Sequence, residues 1–153
     1  MAFMLRPVSL AVFVAGLAGL IAMSISTAST DLRLAPLATE VSFWGRDGYQ
    51  PSPSRREQVA AGLSALREES PDHARLLTVS AARLDREARW ATDTVESERL
   101  RDAAVTMQRR ALGARPAHGQ GWRMLIQYSP AGPRGEATRR EAFEQLQTLR
   151  AGR

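Results

Sequence analysis

The sequence predicts an all-α protein: an N-terminal single transmembrane helix followed by a small four- to five-helix bundle. Three observations predict it. Apolar residues recur at helical spacings of three and four in several separate segments, and nowhere does the alternating pattern of a strand appear. One uncharged, apolar run, Val8 to Ile25, precedes all of them. Proline, glycine and serine punctuate the chain between the periodic segments, where turns are expected. The expected organisation is a membrane segment over 1–29, a linker over 30–53 and a helical domain over 54–153.

The run from Val8 to Ile25 would form about 27 Å of helix, close to the roughly 30 Å hydrocarbon core of a bilayer. Pro7 falls in its first turn, where a helix tolerates proline. Two readings stand side by side. An uncleaved anchor is favoured by the length of the run, which exceeds the apolar core of a signal peptide. A cleavable signal would end at Ser26-Thr27-Ala28 and release a secreted protein. Ala11, Ala15 and Gly19 share one face of the span and are candidates for membrane-helix packing. Arg6 and the amine before the span, against Arg33 and Arg46 after it, leave the charge count near balance. The short tail, laid out like an export signal, places the N-terminus inside. The expected location is a bacterial inner membrane, single-pass, with a periplasmic soluble domain.

Between Thr30 and Pro53, Pro36, Gly45, Gly48, Pro51 and Pro53 are breakers, and the stretch reads as a linker. It carries Phe43, Trp44 and Tyr49, rings suited to a membrane interface, to a partner, or to covering a groove on the helices.

Ser54 with Glu57 forms a capping box for the first domain helix, whose stripe is Val59, Leu63 and Leu66. Pro71 separates it from a second helix, with Ser70 as expected cap and Leu77, Ala81, Leu84 and Ala88 as stripe. The opposite face, with Arg75, Arg83, Arg86 and Glu87, is charged. A third helix is expected from Val95 to Leu112, with Leu100, Ala103, Ala104, Met107 and Ala111 inward. Arg109, Arg110 and Arg115 at its end suit the helix dipole. A final helix covers Glu136 to Arg150, with Ala142, Phe143, Leu146 and Leu149 apolar.

The stretch from Leu112 to Leu125, LGARPAHGQGWRML, joins two of these elements. Pro116 ends one helix, His118-Gly119-Gln120-Gly121 makes a tight reversal, and Trp122 falls on the first turn of the next. Trp122 can then fill the wedge between two antiparallel helices, with Leu125 one turn on. With Ala104 and Ala111 as small packing residues upstream, this repeat-like hairpin resembles the junction of tetratricopeptide-type helical repeats. The match covers Ala104 to Leu125. It departs from the family at Gln108, which stands at a large apolar position, at Ile126, and at Tyr128, one residue early. No second copy near the family's period of about 34 residues is evident. The resemblance implies protein–protein scaffolding, in a cell-envelope assembly. The candidate partner-binding residues are Trp122, Leu125, Tyr128, Phe43 and Trp44.

All 21 basic residues are arginine, a usage that points to a GC-rich bacterial genome. Without lysine there is no Schiff-base or phosphate-loop lysine, and without cysteine no thiol nucleophile or thiolate metal site. His73 and His118 are the only histidines, and neither has a carboxylate at ligand spacing in sequence; capping or surface roles are expected. Catalytic, metal and cofactor residues are therefore expected to be none, and no small-molecule substrate is evident. All basic residues but Arg6 lie from Asp31 onward, interspersed with the 16 acidic ones, so no nucleic-acid stripe forms. The expected partners are membrane lipid and a protein. The competing reading is a cleaved periplasmic protein that binds an anionic ligand through its arginines.

Overall fold

A computed structural model describes residues 28–152. Six helices carry them, and no strand occurs among the described residues. None of these helices is long and apolar enough to cross a membrane. The expected span, Val8 to Ile25, and its packing stripe Ala11, Ala15 and Gly19 lie outside the described residues.

Helix α1 covers 28–43, so the expected linker over 30–53 is helical for most of its length. Thr30, Leu34 and Val41, with Trp44 just beyond, are buried along one face, while Pro36 is exposed on another. A proline inside a helix costs about 3 kcal/mol. Burying Leu34 and Val41 contributes about 1.5–3 kcal/mol each, and the indole of Trp44 adds to it. Tertiary burial wins over the local breaker, and the bundle gains a helix beyond the four or five expected.

Helix α2 is Pro53–Glu69. Its cap is Ser52, whose hydroxyl accepts from the Arg55 N–H at 3.2 Å, rather than the expected Ser54 box. Pro53 occupies the first helical position, where a missing N–H costs nothing, and the cap moves back by two residues. α1 and α2 run antiparallel. At one end Thr30 Oγ1 meets Ser70 Oγ at 3.1 Å and Arg33 forks onto Glu69; at the other Arg55 Nη2 donates to Glu40 Oε2 at 3.1 Å. Midway, Gly62 lets the helices close in: a Cβ there would stand 3.1 Å from Leu37 Cδ1.

Helix α3, Ala74–Trp90, is capped by His73, not Ser70. The imidazole Nδ1 accepts from the Leu76 N–H at 3.3 Å. Leu77, Ala81, Leu84 and Ala88 are buried as expected, and Leu76, Ser80 and Asp85 widen the buried arc because α3 is covered on several sides. Helix α4, Thr94–Ala114, packs along α3 and is capped by Asp93, whose carboxylate accepts from Val95 N at 3.1 Å. The Ser97 hydroxyl donates to Ala88 O at 2.7 Å and pins the α3–α4 turn.

Helix α5, Gly119–Tyr128, absorbs most of the expected reversal: Gly119, Gln120 and Gly121 are already helical. Gly121 lets α5 approach α4 closely: a Cβ there would stand 2.8 Å from Leu112 Cδ2, and that side chain would have to shift. Helix α6 runs Pro133–Ala151, starting three residues before the expected Glu136 because Pro133 fits a first helical turn. Its Ala142 is buried, whereas Phe143 faces solvent. α5 packs against both α4 and α6. The chain thus folds as three successive helical hairpins, α1–α2, α3–α4 and α5–α6.

The two junctions between hairpins are alike. Ser70-Pro71-Asp72-His73 corresponds to Arg115-Pro116-Ala117-His118, each with proline second and histidine last. In both, the histidine N–H closes a turn onto the first residue's carbonyl, His73 to Ser70 at 3.3 Å and His118 to Arg115 at 3.1 Å.

Candidate docking groove

The first helix of each hairpin contributes to one groove. Its walls are the end of α1 with the following turn, one face of α3 and one face of α5, enclosing about 400 Å³. The turn after α1 is built by glycine: Gly45 (φ 79°) precedes the short 3-10 turn Arg46–Gly48 and Gly48 (φ 78°) ends it, and Gly45 N donates to Tyr49 O at 2.8 Å. This turn places Arg46 at the rim, between the groove and the outer recess of Phe43 and Tyr49.

Glu40 organises the end of α1. Its carboxylate accepts from Trp44 Nε1 at 3.2 Å, the Tyr49 hydroxyl at 3.0 Å and Arg55 at 3.1 Å. The Arg55 guanidinium, helped by the other two donors, holds the carboxyl below its ordinary value against the opposing effect of burial. The Trp44 indole is thereby fixed, and it packs against Trp90 of α3 with ring centroids 5.8 Å apart.

On α3, Asp85, Arg86, Arg89 and Trp90 face the groove at helical spacings of one, three and four. Asp85 is buried and bound by Arg89 at 2.6 Å. Arg86 is half-buried, and its Nε donates to the Trp44 carbonyl at 2.7 Å, tying α3 to the turn. Burial pulls the Arg86 guanidinium below its usual range against the opposing charge of Asp85, and no carboxylate among the described residues forms an ion pair with it. Arg46 likewise forms no ion pair with a carboxylate among the described residues and lies 5.3 Å from the centre of the Phe43 ring. From α5, Gln120, Met124, Gln127 and Tyr128 close the far wall. Burial pushes the Tyr128 phenol well above its ordinary value, so it stays protonated, a neutral donor.

The residues expected to bind a partner are distributed otherwise. Trp122 and Leu125 are core residues, 9% and 0% exposed, and the Trp122 indole N–H is committed to Pro116 O at 2.8 Å. Tyr128 and Trp44 are buried yet line the groove. Phe43 is exposed on the outer side of the turn with Tyr49. Gln108 is fully buried and spans α4 to α5, its Nε2 donating to Gly121 O at 3.1 Å. The groove's arginines were hidden in sequence by the charged face of α3. The signal was the spacing of Arg86, Arg89 and Trp90, which puts a ring and two cations on one side of a helix.

The fold also gives His73 a carboxylate neighbour from α1, Asp31, 3.7 Å from its Nε2. Its Nδ1 accepts from the Leu76 N–H at 3.3 Å. His73 is a helix cap.

No family model matches the chain, and no curated protein or solved structure matches it.

Proposed function

We propose that this chain is a single-pass, membrane-anchored interaction protein of a bacterial cell envelope, and that the groove between α1, α3 and α5 receives a protein partner. The observation that supports it most is the groove itself: three helices from three hairpins converge on one recess with an indole pair, a neutral phenol and three guanidinium groups beside a single carboxylate. Such a mixture of aromatic and arginine side chains is what protein interfaces favour. The recurrence of the Pro-x-His junction between hairpins supports a tetratricopeptide-like array, with hairpins longer than that family's usual 34-residue unit. Binding rather than catalysis is the proposed role, because His73 is spent on a cap and the groove's one carboxylate, Asp85, is spent on Arg89.

The N-terminal run from Val8 to Ile25 would hold this module at the inner membrane with the helical domain in the periplasm. Flotation with vesicles at full-length mass supports the anchor, whereas a mature product starting at Ser29 and remaining in solution contradicts it. For the groove, Gln127→Trp fills the recess from an exposed position. Partner capture from native membranes is expected to be lost in Gln127→Trp while the melting temperature holds. Unchanged capture would contradict the docking reading.

A further inference from the structure

We propose that the groove is selective for an acidic peptide segment, whose carboxylates are received by Arg46 and Arg86. This rests on the docking reading above and adds the chemistry of the partner. Three arginines face the recess, and only one carboxylate does. Asp85 is hydrogen-bonded by Arg89 and is close enough to act on Arg86 as well, so among the described residues of the groove three guanidinium groups share one carboxylate. Arg86 is the telling one. It is half-buried, its Nε is spent on the Trp44 carbonyl, and the rest of its guanidinium has no partner among the described residues. A desolvated guanidinium gains most from a carboxylate that completes its fork of donors.

The remaining groove chemistry selects peptide over other anions. Gln120 and Gln127 each offer a donor and an acceptor, and Ser42 a hydroxyl, which matches the paired N–H and C=O groups of an extended backbone. Asp85 on the floor disfavours a densely charged phosphate more than a carboxylate set between neutral amides. Arg86 is recessed between three helices, where the flat face of a bilayer does not reach. Trp90 and Met124 provide apolar surface beside the cations for the stem of a glutamate or for a neighbouring side chain.

The test uses the full-length protein in nonionic detergent. It is titrated with a capped hexapeptide of alternating Glu and Ser and with its Gln–Ser counterpart, following tryptophan emission. Trp44 and Trp90 wall the groove and report occupancy directly. The Glu peptide is expected to saturate and to bind at least about tenfold tighter than the Gln peptide, with affinity falling as salt rises. Arg86→Gln weakens it about tenfold and Arg86→Lys restores part of the loss. Arg46→Gln, at an exposed position, weakens it roughly threefold and decides the matter alone if Arg86→Gln lowers the melting temperature. Arg140→Gln, on the exposed side of α6, removes the same charge elsewhere and changes affinity by less than about twofold.

Equal binding of both peptides overturns the acid preference, as does a loss in Arg46→Gln no larger than in Arg140→Gln. No emission change with the Glu peptide overturns it too, whether or not inorganic phosphate or phosphatidylglycerol vesicles give one. None of these outcomes touches the docking reading, which stands or falls with Gln127→Trp and partner capture.

Discussion

Glu40 gathers an indole, a phenol and a guanidinium onto one carboxylate, and so fixes the turn that carries Arg46 into the groove. Glu40→Ala strands the indole N–H of a tryptophan that is 2% exposed. The expected cost is about 1–3 kcal/mol in chemical denaturation. The same carboxyl gives a pH dependence. Its folded-state value lies below the ordinary 4.5, so its contribution is complete above that value and fades as pH falls through the lowered one. Acidification from about pH 6 to about pH 3 should therefore destabilise the wild type more than Glu40→Gln, and equal losses would contradict the assignment. Gly135 makes the opposite kind of demand. A Cβ there would lie 1.7 Å from the Pro130 carbonyl oxygen, a backbone atom that cannot step aside. Gly135→Ala is expected to cost about 3 kcal/mol, read as a shifted denaturation midpoint. Alanine at Gly113, with open space around it, should be tolerated or favourable.

Among the elements, α1 decides whether the chain is two hairpins with a tether or three hairpins in register. Its stripe, Thr30, Leu34, Leu37 and Val41, was visible at helical spacing, but Pro36 and the later glycines weighed more in the sequence reading. A breaker is a local cost, whereas the burial that outweighs it comes from α2 and cannot be seen along the chain. Leu34→Ala is expected to cost about 2–5 kcal/mol, and Leu32→Ala, two residues away and 77% exposed, less than about 0.5 kcal/mol. Similar values for the two would mean that α1 does not pack as described. The other helices were legible because each repeats its apolar residues over several turns. Their starts were not, since Ser52 and His73 compete with equally good caps two and three residues away, and α6 begins at Pro133 with no side-chain cap to mark it.

At the scale of the whole molecule, the sequence located the α4–α5 junction and the importance of Trp122, but not its role. Both a partner contact and a wedge between helices require a large ring there. Only the third dimension shows the indole N–H tied to Pro116 O and the ring enclosed. Trp122→Ala is accordingly expected to cost about 3–5 kcal/mol, with loss of the cooperative melt rather than selective loss of partner capture. The groove was less legible still. It draws residues from α1, α3 and α5, far apart in the chain, and its arginines looked like part of a solvated helix face. The likeness of the two junctions was also concealed, because Pro71 and Pro116 lie far apart in the chain and only the turns they close are alike. Together the hairpins place one recess on the side shared by their first helices, and partner binding there is the central claim. The most direct measurement is site-specific photo-crosslinking in native membranes, from position 127 inside the groove and position 145 on the exposed part of α6. A discrete adduct from 127, absent from 145 and diminished by Arg86→Gln, is the predicted result. Equal adducts from both positions, or one from 127 that ignores Arg86, would contradict it.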